Sequence, residues 1–514
     1  MDGATLTARY LEEVRHRGLR ASELLGDLPA SEFLNAFYAG RYLSRPLFIG
    51  ASELARLYAD VESVRACVVS LPDRLFGGNF AAFARAAGAG ETFIAAAQRD
   101  PNTPLTRLTR ADLCADESGF HLLEINMSSA IGGVANVDMC RELLEHPVLA
   151  DFARRHDLGY VDTRREQIAS MFAETGLPAG SCPRVALADW PIAYRKLHRF
   201  HALTAARWCA FGVDAQACHL GELEFRDGRV WLDGRVVDVI ARMFYIAHLH
   251  VPGAFELVAP VLDAAARGQV KLFASLGSDV FASKATLAML SDDGNRGAFT
   301  AAELASIDRI VPWTRMVGPG QVTLPDGSRG DLLDYAAAHQ EDLALKPAIG
   351  HGGIGVVLGW DDIGPAQWRS QLAGACDAPF VLQQRVRPAA ELFPGETGDL
   401  VPWVPVWGMF TTASGYGGML ARAAPAVEGL AVVNAAMGAA SGSCLSAIRE
   451  PGRPEMQLSA RGEVEQKRVG HRAVVPAGEQ ALDDADHGGR LAPLAQTARV
   501  QARDEGADPA DAVV

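Results

Sequence analysis

Apolar positions recur at three-to-four-residue spacing from residue 5 to about residue 88, most clearly in 30–42 and 52–71. That period predicts a helical N-terminal layer. It then changes. Over 105–126 the pattern is that of two strands joined by a turn at Asp116 to Gly119, and Leu122-Leu123-Glu124-Ile125-Asn126 is apolar on one face at period two. Glu124 and Asn126 share the other face, and across a tight hairpin Asp112 comes within reach of it. Gly132-Gly133 open a loop into a helix over 137–144.

A new segment starts near Pro183. A short buried-strand run over 184–188, a helix over 199–211 and a strand over 215–219 make a βαβ-like unit. Turns at Asp227-Gly228 and Asp233-Gly234 follow, and the segment ends on Val239-Ile240-Ala241-Arg242. Farther on, a strand over 343–348 carries Lys346, glycines over 350–355 precede a second strand over 356–359, a helix covers 367–375 and a last strand runs over 380–386.

Composition narrows the class. A chain of 514 residues exceeds one ordinary core, and 49% hydrophobic with 21% charged residues is soluble globular usage. No apolar run reaches membrane-spanning length and the start lacks a basic-then-apolar signal pattern, so cytoplasmic residence is expected, without a membrane partner. The formal charge of −14 disfavours a nucleic-acid partner but suits local binding of an anionic nucleotide by chosen Lys and Arg. Eight cysteines without C-x-x-C read as reduced structural thiols. Beyond about Ala447 the composition turns to Arg, Glu, Asp, Pro, Gly and Ala, which predicts a disordered tail.

Asp112, Glu124 and Asn126 are hard oxygen donors, the kind Mg²⁺ takes alongside water and substrate phosphates. An isolated Glu-x-Asn on the wet face of a strand is the plainer reading, but the downstream glycines shift the balance. Gly350-His351-Gly352-Gly353-Ile354-Gly355 matches G-x-G-x-x-G superficially, yet a dinucleotide turn needs a helix at once, and Val356 to Leu358 are strand-like. A hairpin over phosphates fits better, its amides aimed at phosphate oxygens and Lys346 adding a point charge. Lys284, after Ser283 as N-cap, opens an apolar helix, and a cation there opposes the helix dipole unless an anion is bound. The strand entering a turn at Gln383 to Val386 suits a purine grip through backbone groups and an amide, Gln384 being alternatively an exposed strand polar residue. Arg242, leaving a buried strand, suits either a structural ion pair or an anion site. His351 reads as an exposed loop histidine, and His198, His201, His248 and His250 as core or surface histidines without carboxylates at metal spacing.

With these pieces the chain resembles the ATP-grasp ligases, specifically their circularly permuted branch, which includes glutathionylspermidine-synthase-like and peptide-ligase-like proteins. The order carries the resemblance, over about residues 100–440: Asp112, Glu124 and Asn126 precede Lys284, Lys346 and the glycine loop, where ordinary members have the reverse. It implies an α+β or α/β multidomain chain: a helical region over 1–104, a magnesium-binding part of the core over 105–160, an α/β substrate-side domain over 161–271 and a nucleotide-binding part over 272–446, before the 447–514 tail. Asp112, Glu124 and Asn126 would hold Mg²⁺ and Arg110 would face the transferred phosphate. Lys284 and Lys346 would meet the ATP phosphates under the loop of Gly350, Gly352, Gly353 and Gly355. Gln383, Gln384 and Val386 would form the adenine hinge, Arg422 would lie on the strand after it, and Arg242 on the substrate side. Gln384 replaces a frequent Glu, and Ala241 a common aromatic. The implied activity is ATP-dependent amide formation between a small-molecule carboxylate and an amine, an amino acid or short peptide, through an acyl phosphate, in biosynthesis of a small peptide or amino-acid-derived metabolite. A small-molecule kinase and a non-catalytic ATP-binding protein are the rival readings; homo-oligomerisation is left open.

Overall fold

Two long strands late in the chain, buried over most of their length, build the centre of the largest sheet. Leu400–Thr412 and Gly415–Pro425 pair antiparallel. Ala440–Ala447 and then Leu47–Ile49 extend the sheet on one side, Thr109–Asp116 and Gly119–Met127 on the other; two short strands, Glu391–Pro394 and Leu158–Gly159, bring it to eight. The computed structural model describes residues 1–447 apart from 101, 102, 179, 351, 362, 427–432 and 434–437. The expected tail beyond Ala447 and the loop residue His351 therefore lie outside the described residues, as does the side chain of His250.

The N-terminal stretch is helical as its period predicts, with Gly3–Arg17 and Ala51–Phe76 its longest helices. It also holds a strand the pattern hid. Leu47–Ile49 runs parallel to Ala440–Ala447. All three of its residues are buried, so a continuous apolar triplet shows no alternation to mark it as a strand.

The βαβ unit forms. Arg184–Asp189 and Asp214–His219 are parallel and joined by the helix Pro191–Cys209. Val239–Arg242 and Lys271–Phe273 continue this parallel sheet. The two Asp-Gly turns shape a three-stranded ribbon from Glu224–Arg226, Arg229–Leu232 and Arg235–Val236. Asp227 and Asp233 take φ values of 55° and 51°, the left-handed region that aspartate tolerates better than most residues.

A third sheet is antiparallel and runs Thr314–Met316, Phe380–Gln384, Leu343–Pro347, Val357–Leu358. Alternation divides its faces: Leu343, Leu345 and Leu382 pack on Trp368 and Leu372 of the helix Pro365–Ala375, while Ala344, Lys346 and Gln383 face a cleft. The 272–446 stretch thus contributes to four sheets: it starts within the last strand of the parallel sheet, adds the pair Gln321–Thr323 and Arg329–Asp331, builds the third sheet, and completes the largest one with its strands from 391 onward. The chain is a mixed α/β structure. Among the described residues, no helix is long and apolar enough to cross a membrane.

Candidate functional site

The turn after Asp116 sets Ala115 opposite Phe120 and Leu113 opposite Leu122. Continued unbroken, that register would pair Asp112 with Leu123 and send Glu124 to the far face. A bulge at Leu123 shifts the pairing by one residue, so Asp112 stands opposite Glu124 and Arg110 opposite Asn126. Period two then puts Arg110 and Asp112 side by side on the same face.

Asp112 is enclosed by cations. Arg110 donates from Nε to Oδ1 at 2.7 Å and from Nη2 to Oδ2 at 2.9 Å. Arg422 Nη2 lies 2.8 Å from Oδ2 and Asn126 Nδ2 3.3 Å from it. Burial would raise this carboxyl, but the Arg110 and Arg422 guanidiniums outweigh it and hold Asp112 far below the usual carboxylate range. Arg110 is fixed further by the Gly132 carbonyl at 2.6 Å. Gly408, opposite Asp112 on the neighbouring strand, makes room for it: a Cβ there would sit 3.0 Å from Arg110 Cδ.

Ser283 caps the helix Lys284–Ser291 as the sequence predicts. Lys284 Nζ lies 3.0 Å from Glu124 Oε2 and 3.1 Å from the Gly350 carbonyl, joining the hairpin to the glycine loop. Burial raises the Glu124 carboxyl, but Lys284 overrides it and leaves it lowered. Lys346 Nζ donates to Gln383 Oε1 at 2.5 Å. Burial, and then the charge of Lys284, push the Lys346 ammonium down to about 8.

These groups line one cavity of about 780 Å³, walled by the 109–127 hairpin, the loop at Ala130 to Gly132, the third sheet and the Gln383–Pro388 turn. Arg110, Asp112, Glu124, Asn126, Lys284, Lys346, Gly350, Gly352, Gly353, Gln383, Gln384, Val386 and Arg422 all reach it. Gly355 is not part of the lining; it lies against Pro347, whose Cγ would be 2.9 Å from a Cβ at 355. The two glutamines divide: Gln383 is buried and committed to Lys346, Gln384 exposed.

Arg242 is a correction. The substrate-side expectation needs a reachable guanidinium, but Arg242 is fully buried and pairs with both Asp279 oxygens, at 2.5 and 3.0 Å. It also donates to the Ala274, Phe244 and Ser275 carbonyls. The ion-pair alternative describes its place. His201 is likewise buried, 2.8 Å from Asp189, and His248 stacks on Trp190. The pattern did not single out Tyr245, whose hydroxyl donates to the Ala130 carbonyl at 3.0 Å in the cavity wall; burial pushes it up to about 12. A single tyrosine after a strand carries no spacing signal, and neither does Gly408.

A glutathione synthetase-like effector from Globodera pallida, solved in apo form, superposes with a TM-score of 0.50 at 11% identity, over 82% of this chain and 96% of that one. The fold is ATP-grasp ligase-like. A protein described as a gamma-glutamylcysteine synthetase, from Methylobacillus flagellatus KT, overlaps at TM-score 0.39 and 11% identity over 75% of this chain and 87% of its own. D-alanyl-alanine synthetase A from Vibrio cholerae overlaps at 0.23 and 9% over 45% and 68%. Those two overlaps are too loose to add to the first. No family model matches the sequence, and no curated protein matches it significantly. Within the ATP-grasp ligase-like fold, the cleft lies between the largest sheet and the third sheet.

The donors fit a hard divalent cation. Asp112 Oδ1 accepts a hydrogen bond only from Arg110 among the described residues, Lys284 lies against Glu124 Oε2, and Asn126 turns its nitrogen to Asp112, leaving its carbonyl as an acceptor. Among the described residues no three His, Cys, Asp or Glu side chains form a closed metal cluster, so such a cation would depend on water and substrate phosphate for its remaining ligands.

Proposed function

We propose that this chain is an ATP-dependent ligase that joins a small-molecule carboxylate to an amine and releases ADP and phosphate, its ATP-grasp core running in permuted order. One observation carries the reading: Asp112, Glu124 and Asn126 share a single cleft with Lys284, Lys346 and the glycine loop. In this reaction a substrate carboxylate oxygen attacks the γ-phosphorus of ATP and the bond to the β-phosphate bridging oxygen breaks. The amine then attacks the acyl phosphate, loses a proton and expels phosphate. Catalysis of this kind is mostly positioning and charge neutralisation.

Mg²⁺ would be held by Asp112, Glu124 and Asn126, and when bound it neutralises charge on phosphate oxygens. Lys284 and Lys346 place cationic donors on the facing wall. Arg110, locked by Asp112 and the Gly132 carbonyl, orients the transferred group. Arg422 holds Asp112 in place. The glycine loop brings backbone amides over the phosphates and keeps water from an acyl phosphate that would otherwise hydrolyse. Gln384 and Val386 border the base end. Arg242 shapes the wall through Asp279 instead of touching substrate. The substrates are an amino acid or short peptide and an amine, in biosynthesis of a small peptide or amino-acid-derived metabolite.

The test is mass-spectrometric product analysis of the protein with ATP, Mg²⁺ and pooled amino acids and short peptides, beside Glu124→Ala. ADP together with a condensed mass, both lost in the variant, is expected. ADP with a phosphorylated mass would replace this reading with the kinase, and nucleotide binding without turnover would replace it with the non-catalytic one.

A further inference from the structure

We infer that Gln383 is a positioning residue for the Lys346 ammonium and does not read the nucleotide base. This rests on the nucleotide reading above, and it reassigns a residue that the strand pattern placed in the base hinge.

Gln383 lies on the central Phe380–Gln384 strand, directly opposite Thr314 on one neighbour and Ala344 on the other. Directly opposed residues share a face, and Lys346, two residues beyond Ala344, is the diagonal neighbour on that face. Alanine at 344 leaves the diagonal open, so the long lysine can reach back to the amide. The Thr314 hydroxyl donates to the Pro312 carbonyl at 2.8 Å, so toward Gln383 its oxygen can only accept. It takes a hydrogen bond from Gln383 Nε2 at 3.3 Å. That fixes which way round the amide sits, because its nitrogen faces Thr314 and its oxygen must face the other way. There it meets Lys346 Nζ at 2.5 Å. A lysine ammonium only donates, so the relay Pro312, Thr314, Gln383, Lys346 is consistent at every step.

Two features separate this from base recognition. Gln383 is 2% exposed, with both ends of its amide engaged inside the protein. The acceptor is also neutral: Lys284 is paired with the Glu124 carboxylate, whereas Gln383 holds its lysine in place without cancelling its charge. Gln383 therefore acts on the phosphate end of a nucleotide, at second hand, and should be indifferent to the base.

Calorimetric titration with ATP, ADP and adenosine tests this on the full chain and on Gln383→Leu, Thr314→Val, Lys346→Met and the Gln383→Leu/Lys346→Met double variant. Gln383→Leu should weaken ATP and ADP about tenfold and Thr314→Val about threefold, with adenosine changed less than twofold, which also shows that the site is intact. In the Lys346→Met background, Gln383→Leu should add nothing, since the two residues act as one unit. An equal loss for adenosine would make Gln383 a base reader, and additive losses in the double variant would make it independent of Lys346; either overturns the inference. Unchanged ATP affinity in both Gln383→Leu and Thr314→Val overturns it as well. A wild-type chain that binds none of the three ligands would instead remove the nucleotide reading, and this inference with it.

Discussion

On the large-sheet wall of the cleft, Asp112 is gripped by Arg110 and Arg422 and stays ionised far below the ordinary range. On the third-sheet wall, Lys346 is gripped by the neutral amide of Gln383, and its ammonium is pushed down to about 8. Both charges are taken out of water, but only the first is in direct contact with an opposite charge; the Glu124 carboxylate acts on Lys346 without pairing with it. A buried charge with its counter-charge is stable as it stands, whereas one held by a dipole keeps an unspent attraction for an anion. The first wall thus presents groups fixed in advance by their own ion pairs, and the second a cation whose direct contact is a neutral amide. Lys284 links them, tied to Glu124 on one wall and the Gly350 carbonyl on the other.

The largest expected effect comes from breaking the compensated wall. Asp112→Ala leaves two guanidiniums facing each other without their carboxylate and should cost about 3–5 kcal/mol of stability, read from urea unfolding. A cost below about 1 kcal/mol, as for an exposed pair, would mean the wall is not self-compensated. Lys346→Met should act in the opposite sense. Its ammonium moves from an ordinary 10.5 to about 8 on folding, so between those values the unfolded chain binds the proton that the folded chain has released, and stability rises with pH across that window. Below pH 8 the full penalty of burying the charge is present. Removing the charge should therefore stabilise the ligand-free protein at pH 7, on the order of 1–3 kcal/mol, with the gain fading toward pH 10.5. Thermal melts across that range check it, and a loss of stability at pH 7 would erase the contrast between the walls. The smallest effect on stability is expected from Gly408→Ala, whose methyl presses on Arg110. It should cost less than about 1.5 kcal/mol while slowing ADP formation roughly tenfold by moving the guanidinium off its place. Equal rates in both proteins would show that Arg110 has slack on its wall.

Much of the site's inventory was legible along the chain. Period two placed Glu124 with Asn126, the Asp-Gly and Ser283 signals marked turns and a helix start, and the glycines between two strands excluded a dinucleotide turn, because these are local preferences that neighbours in sequence express. Arg242 shows where such reading stops. A guanidinium at a strand end fits an ion pair or an anion equally well until Asp279, far along the chain, is seen beside it. Leu47–Ile49 carries no such local signal, because a strand buried on both faces has no polar phase.

The sequence by itself determined that Glu124 and Asn126 share a strand face, that Lys284 opens a helix and that Lys346 lies on a strand before a glycine loop, since alternation and turn chemistry act over a few residues. The tertiary structure alone decided that they meet. Counted from the turn, Glu124 belongs on the face away from Asp112, and only the bulge at Leu123 turns it round. Whether a strand absorbs one extra residue depends on what packs against each of its faces, so it is settled by the whole fold and not by the hairpin.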